Sequence, residues 1–303
     1  MFEHITKMDG FRAYRLGTVD YQKALDLQLS LIEKRKNEEI DDVLLLLEHP
    51  PTFTMGRSGK TEHLLLSQEE LKKRGIHFEV ISRGGDITYH GPGQLVGYPI
   101  LDLDKFNRDV HQYLRGIEEV IIRALGDFEI KAERIKGFTG VWVGGAPNTL
   151  PLYRYPSPGG SLNTLPLHRY HVSDEEEDTD TSDMNSRRPC LTYSSDMHPS
   201  PGREKIASIG VGIKNWITYH GFALNVNTDL SYFDMMIPCG IQGVKMTSMK
   251  KFLGMAENIE MADVETSVIG AFSKVFNRRL NNITPADKKI LGGVGITEYP
   301  IET

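Results

Sequence analysis

Arg83-Gly84-Gly85-Asp86-Ile87-Thr88-Tyr89-His90-Gly91-Pro92-Gly93-Gln94 runs directly into Leu95-Val96-Gly97-Tyr98-Pro99-Ile100. Glycine costs backbone entropy inside a helix or strand and proline removes a donor, so four glycines and a proline in twelve residues predict a shaped loop. The glycines allow close approach of the backbone, while Arg83, Thr88, Tyr89, His90 and Gln94 line up donors and acceptors along one short path. An ordinary turn between strands needs far fewer polar groups. The stretch therefore reads as a binding wall.

Working outward, residues 76–81 alternate into a strand that leads to Arg83, and residues 95–101 form the strand that leaves. Before them, Ser67-Gln68-Glu69-Glu70 is a capping box that opens a short helix ending at Gly75. Residues 52–55 read as extended. Residues 41–47 are a continuous apolar run, too short for a helix and closed by Glu48-His49-Pro50-Pro51, which predicts a strand buried on both faces. Helical spacing appears at 20–37 and again at 109–125, where Val110, Leu114, Ile117, Val120, Ile121 and Leu125 share one side. Residues 130–135 and 138–143 are further strand candidates.

At Gly144 the composition changes. Through Arg203 the chain is rich in Pro, Ser, Gly, Asp and Asn, has no sustained periodicity and contains the acid run 174–178, which predicts disorder. An octapeptide at 148–155 returns at 163–170, too little for a repeat architecture. With Asp174, Glu175, Glu176, Glu177, Asp178, Asp180, Asp183 and Asp196 against five arginines, the segment supplies −3 of the chain's −6. Beyond it, residues 206–213 and 216–226 predict a hairpin joined through Lys214-Asn215, followed by short helices at 229–236 and 248–253, a longer one at 261–280 and a tail. The organisation expected is one catalytic domain over 1–255, interrupted by 144–203, with a C-terminal helix and tail over 256–303.

With 303 residues, 39% of them hydrophobic, the chain can bury a sizeable core. No basic run with interleaved aromatics suggests nucleic acid, and no apolar run approaches the roughly 20 residues of a membrane span. Cys190 and Cys239 lack metal-ligand spacing and form no disulfide framework, so no metal is expected and a reducing compartment fits best. The first residues resemble neither a secretory signal nor an organelle presequence. Cytoplasm is the expected location.

Cys239 stands between Pro238 and Gly240, where a turn would present its side chain. Most free cysteines are inert and buried, and a working one needs a positive or basic neighbour to favour its thiolate. Lys205 and His220 are the candidates. Spacing along the chain does not show which of them is near.

Taken in order, the motif Leu47-Glu48-His49-Pro50-Pro51-Thr52-Phe53-Thr54-Met55-Gly56-Arg57, the stretch from Arg83 to Tyr98, Thr139-Gly140-Val141-Trp142-Val143, Lys205-Ile206-Ala207-Ser208-Ile209-Gly210, His220-Gly221-Phe222-Ala223-Leu224-Asn225 and Ile237-Pro238-Cys239-Gly240 resemble the lipoyl(octanoyl) transferase family. The likeness covers most of residues 11–255 apart from the insert. It implies a mixed α/β fold with a central sheet flanked by helices, of the biotin and lipoate protein ligase type. It also implies transfer of octanoyl from octanoyl-acyl carrier protein, through a cysteine thioester, to the target lysine of lipoyl domains in the E2 subunits of 2-oxoacid dehydrogenases and in the glycine cleavage H protein. No cofactor is implied, and a monomer is expected. By carry-over, Cys239 matches the nucleophile and Lys205 the lysine that favours its thiolate and serves as acid and base. The acyl and pantetheine contacts fall on Arg83, Gly84, Gly85, Asp86, Ile87, Thr88, Tyr89 and His90, on Ser208, Ile209 and Gly210, and on Gly221, Phe222 and Ala223. Small residues around Ser208 and Gly221 are expected to leave room for an eight-carbon chain.

The departure from the pattern is the segment 144–203, which a family member crosses in a few residues. It reads as a lid or as a disordered excursion whose closure entropy grows slowly with length. As a stretch wrongly retained in translating the gene, it would instead point to a eukaryotic source and the mitochondrial matrix. Two other classes remain open: an ATP-dependent lipoate or biotin ligase, which needs no cysteine, and a non-catalytic binding module, favoured if the insert displaces Lys205.

Overall fold

The computed structural model describes residues 10–144 and 202–284. The first half holds strands β1 (Gly10–Thr18), β2 (Asp42–Glu48), β3 (Thr52–Met55), β4 (His77–Val80), β5 (Ile87–His90), β6 (Gln94–Ile100), β7 (Ala132–Ile135) and β8 (Phe138–Gly144). Between them lie helices α1 (Tyr21–Lys36), α2 (Gln68–Lys73) and α3 (Val110–Gly126). After the insert come β9 (Arg203–Lys214), β10 (Ile217–Asn225), β11 (Lys245–Met246), α4 (Met249–Leu253), α5 (Met261–Phe276) and β12 (Arg279–Leu280). Among the described residues no helix is long and apolar enough to cross a membrane.

The large mixed sheet has the order β12-β1-β2-β6-β10-β9-β8-β7, with β11 added alongside β9, and a small sheet runs β4-β3-β5. The apolar run on β2 follows from its central place. Leu44 and Leu46 join the core beneath α3 and α5, and Val43, Leu45 and Leu47 join the core beneath α1. A strand covered on both faces has no need of polar alternation. A third core, with Phe53, Ile87, Tyr89, Trp142, Phe233 and Met246, fills the space between the small sheet and the segment that carries Cys239. The helix α5 belongs to the first core through Val264, Val268 and Phe272, and the ring of Phe272 lies 4.9 Å from that of Phe11.

Several expectations needed correction. A third of the glycine-rich stretch is strand: Ile87–His90 pairs antiparallel with β3, Ile87 opposite Met55 and His90 opposite Thr52. The glycines sit at 84–85 and at 91 and 93, leaving Ile-Thr-Tyr-His free to extend, and β-branched and aromatic residues suit a buried strand. The hairpin turn is Asn215-Trp216, both at positive φ, with Lys214 opposite Ile217. That is the backbone of a two-residue turn matched to strand twist, and Trp216 is lost from β10 as a result. The helix expected over 261–280 stops at Phe276, where Asn277 turns left-handed, and Arg279–Leu280 pairs with β1. The piece at 229–236 is a 3-10 turn over Leu230–Met235. β1 itself was not anticipated.

Residues 145–201 and 285–303 lie outside the described residues, as do the expectation of disorder in the insert, Cys190 and most of the tail. The insert's edges are well defined. Gly144 at the end of β8 is the register partner of Arg203 at the start of β9. The segment therefore joins two neighbouring antiparallel strands.

The edge of the fold near β2 is pinned by one buried carboxylate. Asp42 accepts from Arg35 Nε at 2.8 Å and Arg278 Nε at 3.1 Å, tying α1, β2 and the chain after α5 together. Removing one member of a buried ion cluster leaves the others uncompensated. Asp42→Ala is expected to cost about 3–5 kcal/mol in urea unfolding, and a loss below about 1 kcal/mol would contradict this account.

Candidate active site

Cys239 occupies a tight turn over Pro238–Gly240 and takes a left-handed backbone, φ 58° and ψ 15°. Such a conformation in a non-glycine residue persists only where its surroundings impose it. Here two sets of contacts do so. Ile237 N donates to His63 O at 2.8 Å and Leu65 N to Met235 O at 2.9 Å, so the chain before the turn is zipped to residues 63–65. His63 Nδ1 and Asp86 Oδ2 are 2.8 Å apart, while Asp86 Oδ1 accepts from Ile87 N at 2.6 Å. This pair lies against Gly240, where a Cβ would come 2.6 Å from Asp86 Oδ2 and 2.8 Å from His63 Cε1. Asp86, expected to meet substrate, has both oxygens engaged within the protein, Oδ1 with Ile87 N and Oδ2 with His63 behind the cysteine turn.

Lys205 reaches the same point from β9. Its Nζ donates to Cys239 Sγ at 3.1 Å and to Thr139 O at 2.9 Å, and it lies 5.4 Å from the centre of the Trp142 ring. At 3% exposure it is a buried ammonium satisfied by a carbonyl, a sulfur and an aromatic face. Gly140 makes this placement possible: its φ is +128°, and a Cβ there would sit 2.6 Å from Lys205 Cε. The backbone N–H of Gly140 donates to Glu118 Oε1 at 3.2 Å, and the buried Glu118 carboxylate is also held by Arg115 and Arg134. On the other side, Thr247 N donates to Lys205 O at 3.0 Å.

Of the two candidate neighbours of Cys239, the structure selects Lys205. His220 is instead buried in a polar cluster with Tyr21, His49, His90, Tyr98 and Arg83. Arg83 Nη2 donates to Thr54 O at 2.7 Å and to Thr54 Oγ1 at 2.8 Å, while its Nε finds no partner. His49 is held between Val19 O and Tyr98 OH, both at 2.7 Å, and His90 Nδ1 lies 2.9 Å from Gln94 Oε1. Neither ring nitrogen of His220 has a partner, and the residue has a positive φ of 55° within β10. Burial, reinforced by the Arg83 charge, lowers the pKa of His220 to about 3; burial lowers that of His49 to about 4 and that of His90 well below the usual value. Burial also raises the Tyr21 and Tyr98 phenols. At neutral pH the cluster is a set of neutral rings around one guanidinium.

The remaining predicted contacts divide by register. Ser208 opposes Ala223, Ile209 opposes Phe222 and Gly210 opposes Gly221 across β9 and β10. Ile209 and Phe222 pack into the core under α3 and α5, so only their backbones are available to a ligand between the sheets. The glycines do not leave the expected room for an acyl chain. A Cβ at Gly210 would sit 3.0 Å from Arg83 Cδ and from Gly84 O, and one at Gly221 would run into Gly97 O. They permit close approach of neighbouring backbone and of Arg83. Thr88, Tyr89 and His90 are buried on β5, where Tyr89 stacks on Tyr232 with centroids 4.4 Å apart. Among the described residues no group of histidine, cysteine and carboxylate side chains could hold a metal ion.

Residues 20–273 match the family described as the lipoyl protein ligase A/B catalytic domain. The octanoyltransferase of Christiangramia forsetii is 38% identical over 276 residues, covering 88% of this chain and 95% of the relative. That of Caldicellulosiruptor saccharolyticus is 38% identical over 274 residues, covering 90% and 91%. The chain belongs to the octanoyltransferase family. It is therefore an acyltransferase. Its fold is shared with a lipoate-protein ligase A solved with ATP (TM-score 0.56, 14% identity, 94% and 93% coverage). A bi-partite lipoate protein ligase of Thermoplasma acidophilum is equally distant (TM-score 0.54, 14% identity, 94% and 91% coverage). The mixed α/β ligase-type fold expected from the sequence is the one observed.

Sequence reasoning missed His63, Glu118 and the grouping of Tyr21, His49 and Tyr98. The partners that matter to the site, Asp86 for His63, Gly140 for Glu118 and one another for the three rings, are far away in the chain, so no local spacing marks them.

Two consequences can be measured. A histidine whose pKa is lower folded than unfolded is protonated first in the unfolded chain, so stability falls as pH drops below about 6.5 and keeps falling to about 4 for His49 and about 3 for His220. Each should remove about 2 kcal/mol between pH 7 and pH 5. Urea unfolding of His220→Asn, a residue that tolerates positive φ, should show a loss between these pH values about 2 kcal/mol smaller than in the parent; an unchanged loss would refute neutral burial. Gly240→Ala should destabilise by about 1–3 kcal/mol and slow alkylation of Cys239 at pH 7, because the turn must leave the His63–Asp86 pair. Alkylation at the parent rate would show that the pair does not position the thiol.

Proposed function

We propose that this octanoyltransferase carries an octanoyl group from octanoyl-acyl carrier protein to the target lysine of lipoyl domains, with a thioester on Cys239 as the intermediate. The observation that carries this reading is the 3.1 Å approach of the Lys205 ammonium to Cys239 Sγ within an acyltransferase family. A cation at hydrogen-bond distance favours the thiolate, which is the nucleophile. In the first half-reaction Sγ attacks the thioester carbonyl, the carrier's C–S bond breaks, and Lys205 supplies a proton to the departing thiol. In the second, the acceptor amine attacks the Cys239 thioester, neutral Lys205 takes the proton lost by the amine, and Sγ leaves as the C–N bond forms.

The carbonyl carbon passes from thioester to amide, so the reaction runs downhill without ATP, metal or other cofactor. The stretch from Arg83 through His90, loop and then β5, with Ser208, Ile209, Gly210, Gly221, Phe222 and Ala223, is the wall proposed to meet the acyl chain and its pantetheine arm. Ile209 and Phe222 would act through their backbones, and Asp86 through the cysteine turn. The E2 subunits of 2-oxoacid dehydrogenases and the glycine cleavage H protein are the proposed acceptors. A free thiol at the reacting centre suits a reducing compartment, which supports the cytoplasm.

With octanoyl-carrier protein and no ATP, intact mass should show one octanoyl group on the parent enzyme and none on Cys239→Ser. Lys205→Arg keeps the charge but has no proton to give up at neutral pH. It should retain part of the alkylation rate of Cys239 yet lose most transfer to a lipoyl domain, by about 100-fold or more. Parental turnover by Lys205→Arg would reduce Lys205 to a charge, and an adduct on another residue would remove Cys239 from the reaction.

A further inference from the structure

The exposed large apolar side chains of the described residues are unevenly spread. Phe252, Leu253 and Met255 lie together at the end of α4, and Leu65 lines a cleft that Lys251 of the same helix also lines. From 245 to 255 the chain carries Lys245, Lys250 and Lys251 and no acid, within a protein of net charge −6. Glu204 lies 4.0 Å from Lys251 and offsets part of this charge. Lys250 donates to the neutral Asn258. A basic and apolar face thus lies along β11 and α4.

This face is attached to the reacting centre. On β11, Lys245 pairs with Glu204 and Met246 with Lys205 itself. The cleft, about 610 Å³, is lined by Pro238 of the cysteine turn, by Met246, and by Lys245 and Lys251 together with Glu204 and Asp234. A molecule seated on β11 and α4 would stand beside Cys239.

Resting on the function proposed above, two macromolecules must reach this site, and their charges differ. The acceptor brings a lysine that is cationic in solution, whereas the donor's acyl chain hangs from an arm joined to its carrier through an anionic phosphodiester. The surplus of positive charge on this face, Lys245, Lys250 and Lys251 against Glu204 and Asp234, attracts the second and repels the first. We propose that the β11–α4 face is the docking surface for the donor, an acyl-carrier protein with acidic side chains around an apolar spot. Phe252, Leu253 and Met255 supply the apolar contact, and Lys245, Lys250 and Lys251 the electrostatic one.

The test compares two donors on the full-length enzyme. For the variant carrying Lys245→Gln, Lys250→Gln and Lys251→Gln, the rate of Cys239 thioester formation is followed by intact mass. The donors are octanoyl-carrier protein and octanoyl-N-acetylcysteamine, a small thioester with neither phosphate nor protein. With the carrier protein, kcat/KM should fall about 10-fold or more at low salt and lose most of its salt dependence. With the small donor it should be unchanged, as should transfer from preformed octanoyl-enzyme to a lipoyl domain. An unchanged rate with the carrier protein, an equal loss with both donors, or a loss confined to the transfer step would each overturn the proposal, the last by assigning the face to the acceptor. Should the triple variant fold poorly, Lys245→Gln alone is read in the same way, with an expected fall of about 3-fold. Absence of any thioester on the parent enzyme with either donor would instead overturn the reaction itself.

Discussion

An ammonium held against a sulfur inside a protein is costly unless its other protons are satisfied and its position is fixed. Around Lys205 both conditions are met by parts of the chain with no sequence proximity. Thr139 O takes a second proton, Trp142 offers its ring, and Gly140 withholds the Cβ that would collide with Cε. Glu118 on α3 fixes the Gly140 amide, so a helix of the main core reaches through a carboxylate to the lysine's seat. The sulfur is fixed independently, by the zip between residues 63–65 and 235–237 and by the His63–Asp86 pair behind Gly240. The 3.1 Å contact is where these two supports meet.

The electrostatics next to this contact narrow the chemistry. Arg83 is a buried cation with an unpartnered Nε, surrounded by imidazoles that burial keeps neutral and phenols that burial keeps protonated. None of these rings changes charge near pH 7, so they surround Arg83 as a neutral polar shell. Among the described residues, Lys205 is the one that reaches the sulfur. The pKa directions thus separate residues that otherwise all look like acid–base candidates.

Legibility in the sequence followed how local each signal was. The two-sided burial of β2, the amphipathic spacing of α3 and the Ser67 capping box are written in consecutive residues, and each appears where expected. β1 escaped because Arg12 and Arg15 break its apolar pattern and a register shift lies between Arg15 and Thr18. β5 escaped because flanking glycines masked four residues of good strand formers. At the site, Cys239 and Lys205 were readable only through the family's motifs, since 34 residues separate them and nothing local pairs them. The glycines of β9 and β10 were readable as close approach but not as to what approaches, which is Arg83 and the Gly97 backbone.

The pairing of Gly144 with Arg203 has a bearing on how this chain can vary. Because the two ends of the intervening segment are already neighbours in a ladder, its length does not enter the geometry of Trp142 or Lys205. Each doubling of such a loop adds only about 0.6 kcal/mol of closure entropy. The seam between β8 and β9 is thus a place where the gene can gain or lose sequence in frame without moving the reacting atoms. It is also where new chain ends could be opened, or a reporter domain spliced in, just beyond the Gly144–Arg203 rung and outside the ladder that holds Lys205.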